Sequence, residues 1–393
     1  MSVTKYLSLP VRYRIWKPLH IHLIFKDMVA PNAPTFDHNT HLSAAVDWLC
    51  RAQNQRDGLT DSGGVSAGWS FEDEWLPSYP ETSGYIVETF VEASIVLARP
   101  ELIQRAHRIL DWELSIQNTD GSFPGHFGEP GSHPVIFNTG QIMHGMNCGY
   151  LHLQRQECLE AAIRAGYWLL NQQDNDGCWR RSEHNGIPHT YNTRAAWALL
   201  QTGLIANDKK LIDSATRNIE WALTQQNENG WFETNAFTVG AEPFTHTIAY
   251  AVRGILEAGL LLDRQDYVEA ALKTSRALAK VQGNDGAILG TFDKNWRSSA
   301  YYVCLTGLAQ IALNWGRLMQ ATQYTEFRPH VDNALLYLKK RHRIDNSGGV
   351  YDGGIAGSFP FWGRYSMFEY PNWAAKFFAD ALMVDQQNQS VNR

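Results

Sequence analysis

Six segments of the chain carry side chains suited to moving protons or gripping an anion, each at the head of an apolar run. They are Glu81 and Tyr85; Asn138 and Gln141; His189, Tyr191, Asn192 and Arg194; His246 and Tyr250; Ser299 and Tyr301; and Asn372 and Lys376. On a helix, His246, Tyr250 and Arg253 fall at i, i+4 and i+7, as do Glu81, Tyr85 and Glu88, so each trio shares a face. A polar stripe inside an apolar helix is costly unless it lines a cavity. Tyr, His and Glu are acid–base groups, and helix N-termini add partial positive charge. The stretches upstream hold Trp69, Trp75 and Tyr79; His126 and His133; Arg180, Arg181 and His184; Glu242; Lys294, Trp296 and Arg297; Trp362, Arg364, Tyr365 and Tyr370. Arg forks take a carboxylate or sulfate and aromatics take the face of a sugar ring, so the mixture points to an anionic sugar. The plainer alternative is that Thr82, Asn138, Thr190 and Thr245 cap helices, that His189 and His246 are satisfied core histidines, and that Glu81 only favours a helix dipole.

The elements that must position these groups repeat. An amphipathic helix ends in a Gln and an Asp/Asn-rich turn reaching Gly: DWLCRAQNQRDG (47–58), DWELSIQNTDG (111–121), YWLLNQQDNDG (167–177), EWALTQQNENG (220–230) and ALAKVQGNDG (277–286), with a degraded copy in LLYLKKRHRIDNSGG (335–349). The glycines, Gly58, Gly121, Gly177, Gly230, Gly286 and Gly348, are spaced by 63, 56, 53, 56 and 62 residues. Gly accepts the left-handed backbone that stops a helix, so each turn marks a helix end. A loop and a second, more apolar helix follow each time, and a helix apolar nearly all round is a buried one. The expectation is therefore all-α: an (α/α)6 toroid of six helix hairpins, with buried inner helices whose N-termini share one mouth. Residues 1–40 read as an N-terminal arm, 41–385 as the toroid and 386–393 as a polar tail.

Composition narrows the function. A net charge of -6 without a long basic run argues against nucleic acid. Five scattered cysteines without a C-x-x-C pair indicate neither a disulfide framework nor a zinc site, and no metal or cofactor is implied. No signal peptide or membrane span is legible, which suggests a cytoplasmic protein. The basic arm (Lys5, Arg12, Arg14, Lys17, Lys26) offers peripheral association with an anionic membrane or a biosynthesis complex, packing on the toroid being the simpler role.

In GGVSAGWS (63–70), WLPSYPETSGYI (75–86), FNTGQIMHGM (137–146), PHTYNTRAAWALL (188–200), PFTHTIAYAVRGILEAG (243–259) and FPFWGRYSMFEYPNWAAKFFADAL (359–382), the chain resembles the toroid proteins encoded among bacterial exopolysaccharide and O-antigen genes. In fold it is similar to uronyl C5-epimerases, polysaccharide lyases and unsaturated glucuronyl hydrolases, and it looks like the terpene cyclase and prenyltransferase toroids. That resemblance implies an enzyme acting on an acidic polysaccharide or its lipid-linked precursor by abstraction of the C5 proton. His189, Tyr191, His246 and Tyr250 would transfer protons, with Arg194 as carboxylate clamp, Asn192 as polariser, and Glu81, Tyr79 and Tyr85 across the ring. Tyr85, Asn192, Gln141 and Asn372 join the cationic and aromatic loop residues above and Glu242 as the expected substrate-binding set. A hydrolase using Glu81 with Glu242 or Asp73 stays open, as does a glycan-binding protein without catalysis. Terpene cyclisation is disfavoured because FEDEW (71–75) is no Asp-rich motif.

Overall fold

The Asp/Asn-Gly turns build the ring. All six turn glycines adopt positive φ, from 67° at Gly348 to 92° at Gly121. The glutamine before each of the first five turns then ties the turn to the next hairpin. Gln173 Nε2 donates to Gly177 O at 3.0 Å and to Ser214 O at 2.9 Å. Gln117 does the same with Gly121 O and Ala161 O, and Gln282 with Gly286 O and His330 O.

The structure, a computed structural model, describes residues 9–29, 35–128, 132–322 and 324–391. Helix α1 (Pro18–Val29) precedes the ring. The outer helices are α2 (His38–Asn54), α4 (Glu101–Ile116), α6 (Gln156–Gln172), α8 (Lys209–Thr224), α10 (Gln265–Lys280) and α12 (Arg328–Lys339). The inner helices are α3 (Pro80–Val96), α5 (Ile136–Leu153), α7 (Thr193–Ala206), α9 (Thr245–Leu262), α11 (Leu305–Ala321) and α13 (Asn372–Val391). Each inner helix packs on the next, and α13 returns to α3, closing the (α/α)6 toroid. Periodicity explains the layering. In α8 the buried residues Leu211, Ser214, Ala215, Asn218, Ile219 and Ala222 form one stripe, whereas α5 is buried without a break from Ile136 to Gly149.

Glycine sets the width of the ring. A Cβ on Gly145 would lie 2.2 Å from Gly84 O, one on Gly140 2.2 Å from the Ala195 Cβ, one on Gly254 2.2 Å from the Thr193 carbonyl carbon, and one on Gly307 2.3 Å from Thr245 Oγ1. Four successive inner seams thus bring helices together at a distance that a methyl group would prevent.

Short strands cover the mouth. β1 (Gly68–Ser70) lies between β2 (Glu74–Trp75) and β5 (Glu369–Pro371), joining the loops of the first and last hairpins, and β3 (Val303–Cys304) pairs with β4 (Ser358–Phe359). The β3–β4 pairing corrects one expectation: Ser299 and Tyr301 precede an extended segment instead of opening the fifth inner helix, which starts at Leu305. Likewise Tyr191 and Asn192 sit in a 3-10 turn, Thr190–Asn192, just before α7. The arm packs on this mouth through His20, stacked 3.8 Å from Phe71, and Asp27, which accepts from Phe361 N at 2.8 Å. Lys5 of the basic arm and residues 392–393 of the expected tail lie outside the described residues. Among the described residues no helix is long and apolar enough to cross a membrane.

The seam at Gly254 gives a test. Gly254→Ala puts a methyl group against backbone that cannot rotate away, and is expected to cost about 1–3 kcal/mol of stability, read as a lower denaturation midpoint in urea. Gly240→Ala, where a Cβ meets nothing within 4 Å but φ is 76°, controls for backbone strain alone.

Candidate active site

The inner-helix starts enclose a pocket of about 260 Å³ at the mouth. Tyr79, Glu81 and Tyr85 come from the head of α3, Phe137 and Asn138 from α5, Tyr191 from the turn before α7, and His246, Thr247 and Tyr250 from α9. Loops add His126, Val135, His184, Phe237 and Tyr365, and Trp373 comes from α13. Phe137 packs edge-on to Tyr191 at 5.1 Å and tilted to Tyr250 at 5.0 Å, so the aromatic wall is continuous.

Arg194 lies under the floor of the pocket, behind the lining residues Tyr85 and Tyr250. Its guanidinium carbon lies 5.9 Å from the Tyr85 ring centre, 5.4 Å from Tyr250, 5.4 Å from Trp197 and 5.5 Å from Phe377, an arrangement that stabilises a buried cation by cation–π attraction. Its Nε donates to Gln141 Oε1 at 2.7 Å. Further along the axis ion pairs border a second cavity of about 380 Å³: Arg253 with Glu257 at 2.8 Å, Arg317 with the same carboxylate at 2.9 Å, and Lys376 with Asp380.

Glu81 is the carboxyl of the pocket lining. Burial pushes its carboxyl up to about 7, while a hydrogen bond from the Tyr79 hydroxyl (2.8 Å) and the charge of Arg194 pull the other way. Burial raises the phenols of Tyr79, Tyr85, Tyr191, Tyr250 and Tyr365, so all are protonated near neutrality and act as donors. Burial drives His246 down to about 3 and His189 down to about 4, which makes both neutral imidazoles. The buried His246 Nδ1 has no hydrogen-bond partner, leaving a polar valence available to a ligand, and the Asn138 amide bears on the Tyr79 hydroxyl beside it.

Several expected residues stand behind the wall. His189 stacks 4.4 Å from Tyr191 and its Nε2 lies 2.8 Å from the His184 carbonyl, so it orients two lining residues. Asn192 donates to the buried Glu183 at 2.5 Å and braces the same turn. The structure brings Tyr79, Glu81, Tyr85, Tyr191, His246, Tyr250 and Tyr365 together, with Arg194 and Gln141 beneath them.

The other expected residues are engaged elsewhere. Trp69 and Tyr370 face each other in the β1–β5 pair and are buried, and Trp75 packs 5.5 Å from Trp48. Arg180 is held by Asp174 and Asp176, and Arg181 donates to Asn171 O. Glu242 accepts from Thr291 and Ser299 and is absent from the pocket lining. Lys294 is exposed, and Trp296 borders a separate, open groove of about 730 Å³ between α10 and the turn after α8, against Lys273 and Arg276. The Trp362 carbonyl accepts from Tyr301, Arg364 is exposed, and Asn372 donates to Ser66 O and Thr82 Oγ1. Phe137, Phe237, Thr247 and Trp373 were not anticipated. Three of them adjoin a residue that was singled out, so helical phase was the missing information. Among the described residues no group of three or more His, Cys, Asp or Glu side chains is arranged to hold a metal ion.

Comparison with known proteins finds terpene-cyclase-like sequence over just under half of the chain. The squalene-hopene cyclase C-terminal domain family matches residues 77–264, the stretch that supplies Glu81, Tyr191 and Tyr250. Squalene–hopene cyclase of Zymomonas mobilis is 23% identical over 265 residues, which are 62% of this chain and 38% of that protein, so the chain spans well under half of the curated relative's length. Among solved structures, unsaturated glucuronyl hydrolase from a Bacillus species superposes with TM-score 0.70 at 13% identity, over 90% of this chain and 97% of that one. Cellobiose 2-epimerase from Bacillus thermoamylovorans gives 0.68 at 12%, over 92% and 99%. A polysaccharide lyase gives 0.64 at 12%, over 88% and 97%. These structural likenesses establish the shared toroid.

The perturbed carboxyl has a thermodynamic signature. The folded protein keeps the Glu81 proton up to about pH 7, whereas an unperturbed glutamate releases it near 4.5. Its contribution to stability is therefore fully present below pH 4.5 and is lost as pH rises to about 7. Glu81→Gln does not titrate, so wild-type stability relative to the variant is expected to fall across that window in urea titrations. A difference independent of pH contradicts the assignment.

Proposed function

We propose that the chain is a carbohydrate-active enzyme that transfers a proton on a sugar ring, its substrate being an acidic polysaccharide or a lipid-linked precursor of one. The observation that carries this reading is Glu81, a carboxyl poised near neutrality beside five protonated phenols in an aromatic pocket. A general base works best when its pKa lies near the operating pH, and neutral phenols are the matching acids. The pocket is slightly smaller than the roughly 300–1,000 Å³ typical of drug-sized ligands, which suits one sugar ring at the reacting position. Support also comes from the toroids named above as a glucuronyl hydrolase, a polysaccharide lyase and a sugar epimerase.

On a uronic-acid ring the Glu81 carboxylate would remove the C5 proton, and the electron pair would move into the adjacent carboxylate. Asn138 and the imidazole of His246 would hydrogen-bond that group, while Arg194 supplies positive charge from under the floor. Tyr191 or Tyr250 would then return a proton to C5 from the other face, giving the epimer. In the eliminating variant the same electron pair expels the 4-O substituent, the phenol protonates the leaving oxygen, and an unsaturated ring results. Tyr79 would orient Glu81, and His189 would hold Tyr191 in place.

Two other readings have specific counterweights. Hydrolysis by paired carboxyls needs both of them facing the scissile bond, and Glu242 is engaged away from the pocket. Polyene cyclisation is favoured by the squalene-hopene cyclase match across the pocket-forming residues, and a protonated Glu81 would serve as its acid. A cavity of about 260 Å³ does not enclose a squalene-sized chain.

Incubation with uronic-acid polysaccharides in deuterated water, followed by NMR, tests the proposal. Deuterium at C5 without cleavage identifies an epimerase, and an unsaturated product identifies a lyase. Glu81→Gln is expected to lower either rate at least about 100-fold, the contribution of a positioned acid–base group. Glycan binding without exchange or cleavage, or activity unaffected by Glu81→Gln, overturns it.

A further inference from the structure

Helix α1 is inside out. Its buried positions, His20, Leu23 and Asp27, are mostly polar, whereas Ile21, Phe25, Met28 and Val29 fall at i, i+4, i+7 and i+8 on a face turned to solvent. Phe25 and Met28 are each 63% exposed and Ile21 is 55% exposed. The preceding segment continues the surface with Val11 and Trp16, 65% and 59% exposed. An amphipathic helix normally turns its apolar stripe to the core. Here the inward polar groups are specifically satisfied, His20 with the Tyr13 carbonyl at 2.9 Å and Asp27 with Phe361 N, so the outward apolar face is built into the arm's seating on the ring.

We propose that this face docks the protein on an anionic lipid bilayer beside the mouth of the pocket. Charge selects the occupant. The chain carries -6 overall, yet residues 9–26 contain Arg12, Arg14, Lys17 and Lys26 and no acid. Arg14 is exposed without an acidic partner among the described ion pairs, and Arg12, Lys17 and Lys26 keep partly exposed side chains while reaching Glu72, Glu74 and Asp345. Cations bracketing an apolar stripe, with a Trp at its edge, match the headgroup–acyl boundary, where the ring and aliphatic side chains enter and the cations meet phosphate. Position supports the same occupant: the arm rests on Phe71, Phe361 and Phe368, in the strand-bearing loops that cover the mouth. A substrate held at the membrane surface would reach the pocket without leaving it. The docking does not rest on the sugar chemistry proposed above.

Sedimentation with vesicles tests it. The full chain is expected to bind phosphatidylcholine vesicles containing phosphatidylglycerol at least tenfold more tightly than phosphatidylcholine alone, with binding weakened by salt. Phe25→Asp with Met28→Asp is expected to reduce that binding at least tenfold. Both side chains are exposed, so an unchanged circular dichroism spectrum and melting temperature will show that the fold persists. Arg14→Glu is expected to lower affinity for anionic vesicles only. Absence of vesicle binding, equal binding to neutral vesicles, or binding unaffected by the double substitution overturns the proposal. So does a dimer in analytical ultracentrifugation that the same double substitution dissociates, because the face would then belong to a second copy of the chain.

Discussion

The close approach of the inner helices governs the rest of the molecule. Helices that meet at Gly84–Gly145, Gly140–Ala195, Gly254–Thr193 and Gly307–Thr245 form a ring too narrow for an open channel. Side chains from opposite helices therefore meet on the axis. Tyr85 of α3 and Tyr250 of α9 both lie over Arg194 of α7, and this contact separates the pocket at the mouth from the ion pairs farther along. A wider ring would leave Arg194 without its aromatic cage and the pocket without a floor.

The electrostatics of the site follow from that floor. Glu81 sits in an aromatic enclosure, where losing water raises its pKa, and the arginine stands close enough to limit the rise. The balance leaves a carboxyl that titrates near neutrality in place of one permanently charged or permanently protonated. Burial outweighs the same kind of compensation at the phenols, where Arg194 also acts on Tyr250, and it keeps these phenols and the His246 imidazole neutral. Glu81 is thus a group able to change charge around neutral pH, set among many able to donate or accept hydrogen bonds.

The ring was legible in the sequence because its working parts recur. The Gln-to-Gly turns repeat at nearly constant spacing, and the structure shows why: Gln117, Gln173 and Gln282 each bond their own turn and the neighbouring outer helix, and Gln53 and Gln226 also reach that next helix. The heads of the inner helices were legible for a related reason, since Glu81, Tyr191, His246 and Tyr250 are polar where the pattern calls for apolar side chains. The loops were read less well. Arg180 looked available to a ligand, but Asp174 and Asp176 are close enough in sequence to hold it. Trp69 and Tyr370 looked like sugar platforms, but strand pairing turns them into the interior. The glycine seams went unread as well, because closeness between helices far apart in sequence leaves no periodic mark within either one.

The central claim is that Glu81 is a carboxyl tuned to neutrality, and its own titration tests this most directly. Infrared difference spectroscopy of the protein, with Glu81→Gln subtracted to isolate the band, should show the carboxyl absorption disappearing around pH 7. A midpoint near 4.5, the value of an unperturbed glutamate, would mean that the pocket does not tune this group and would contradict the proposed role of Glu81 as the acid–base centre.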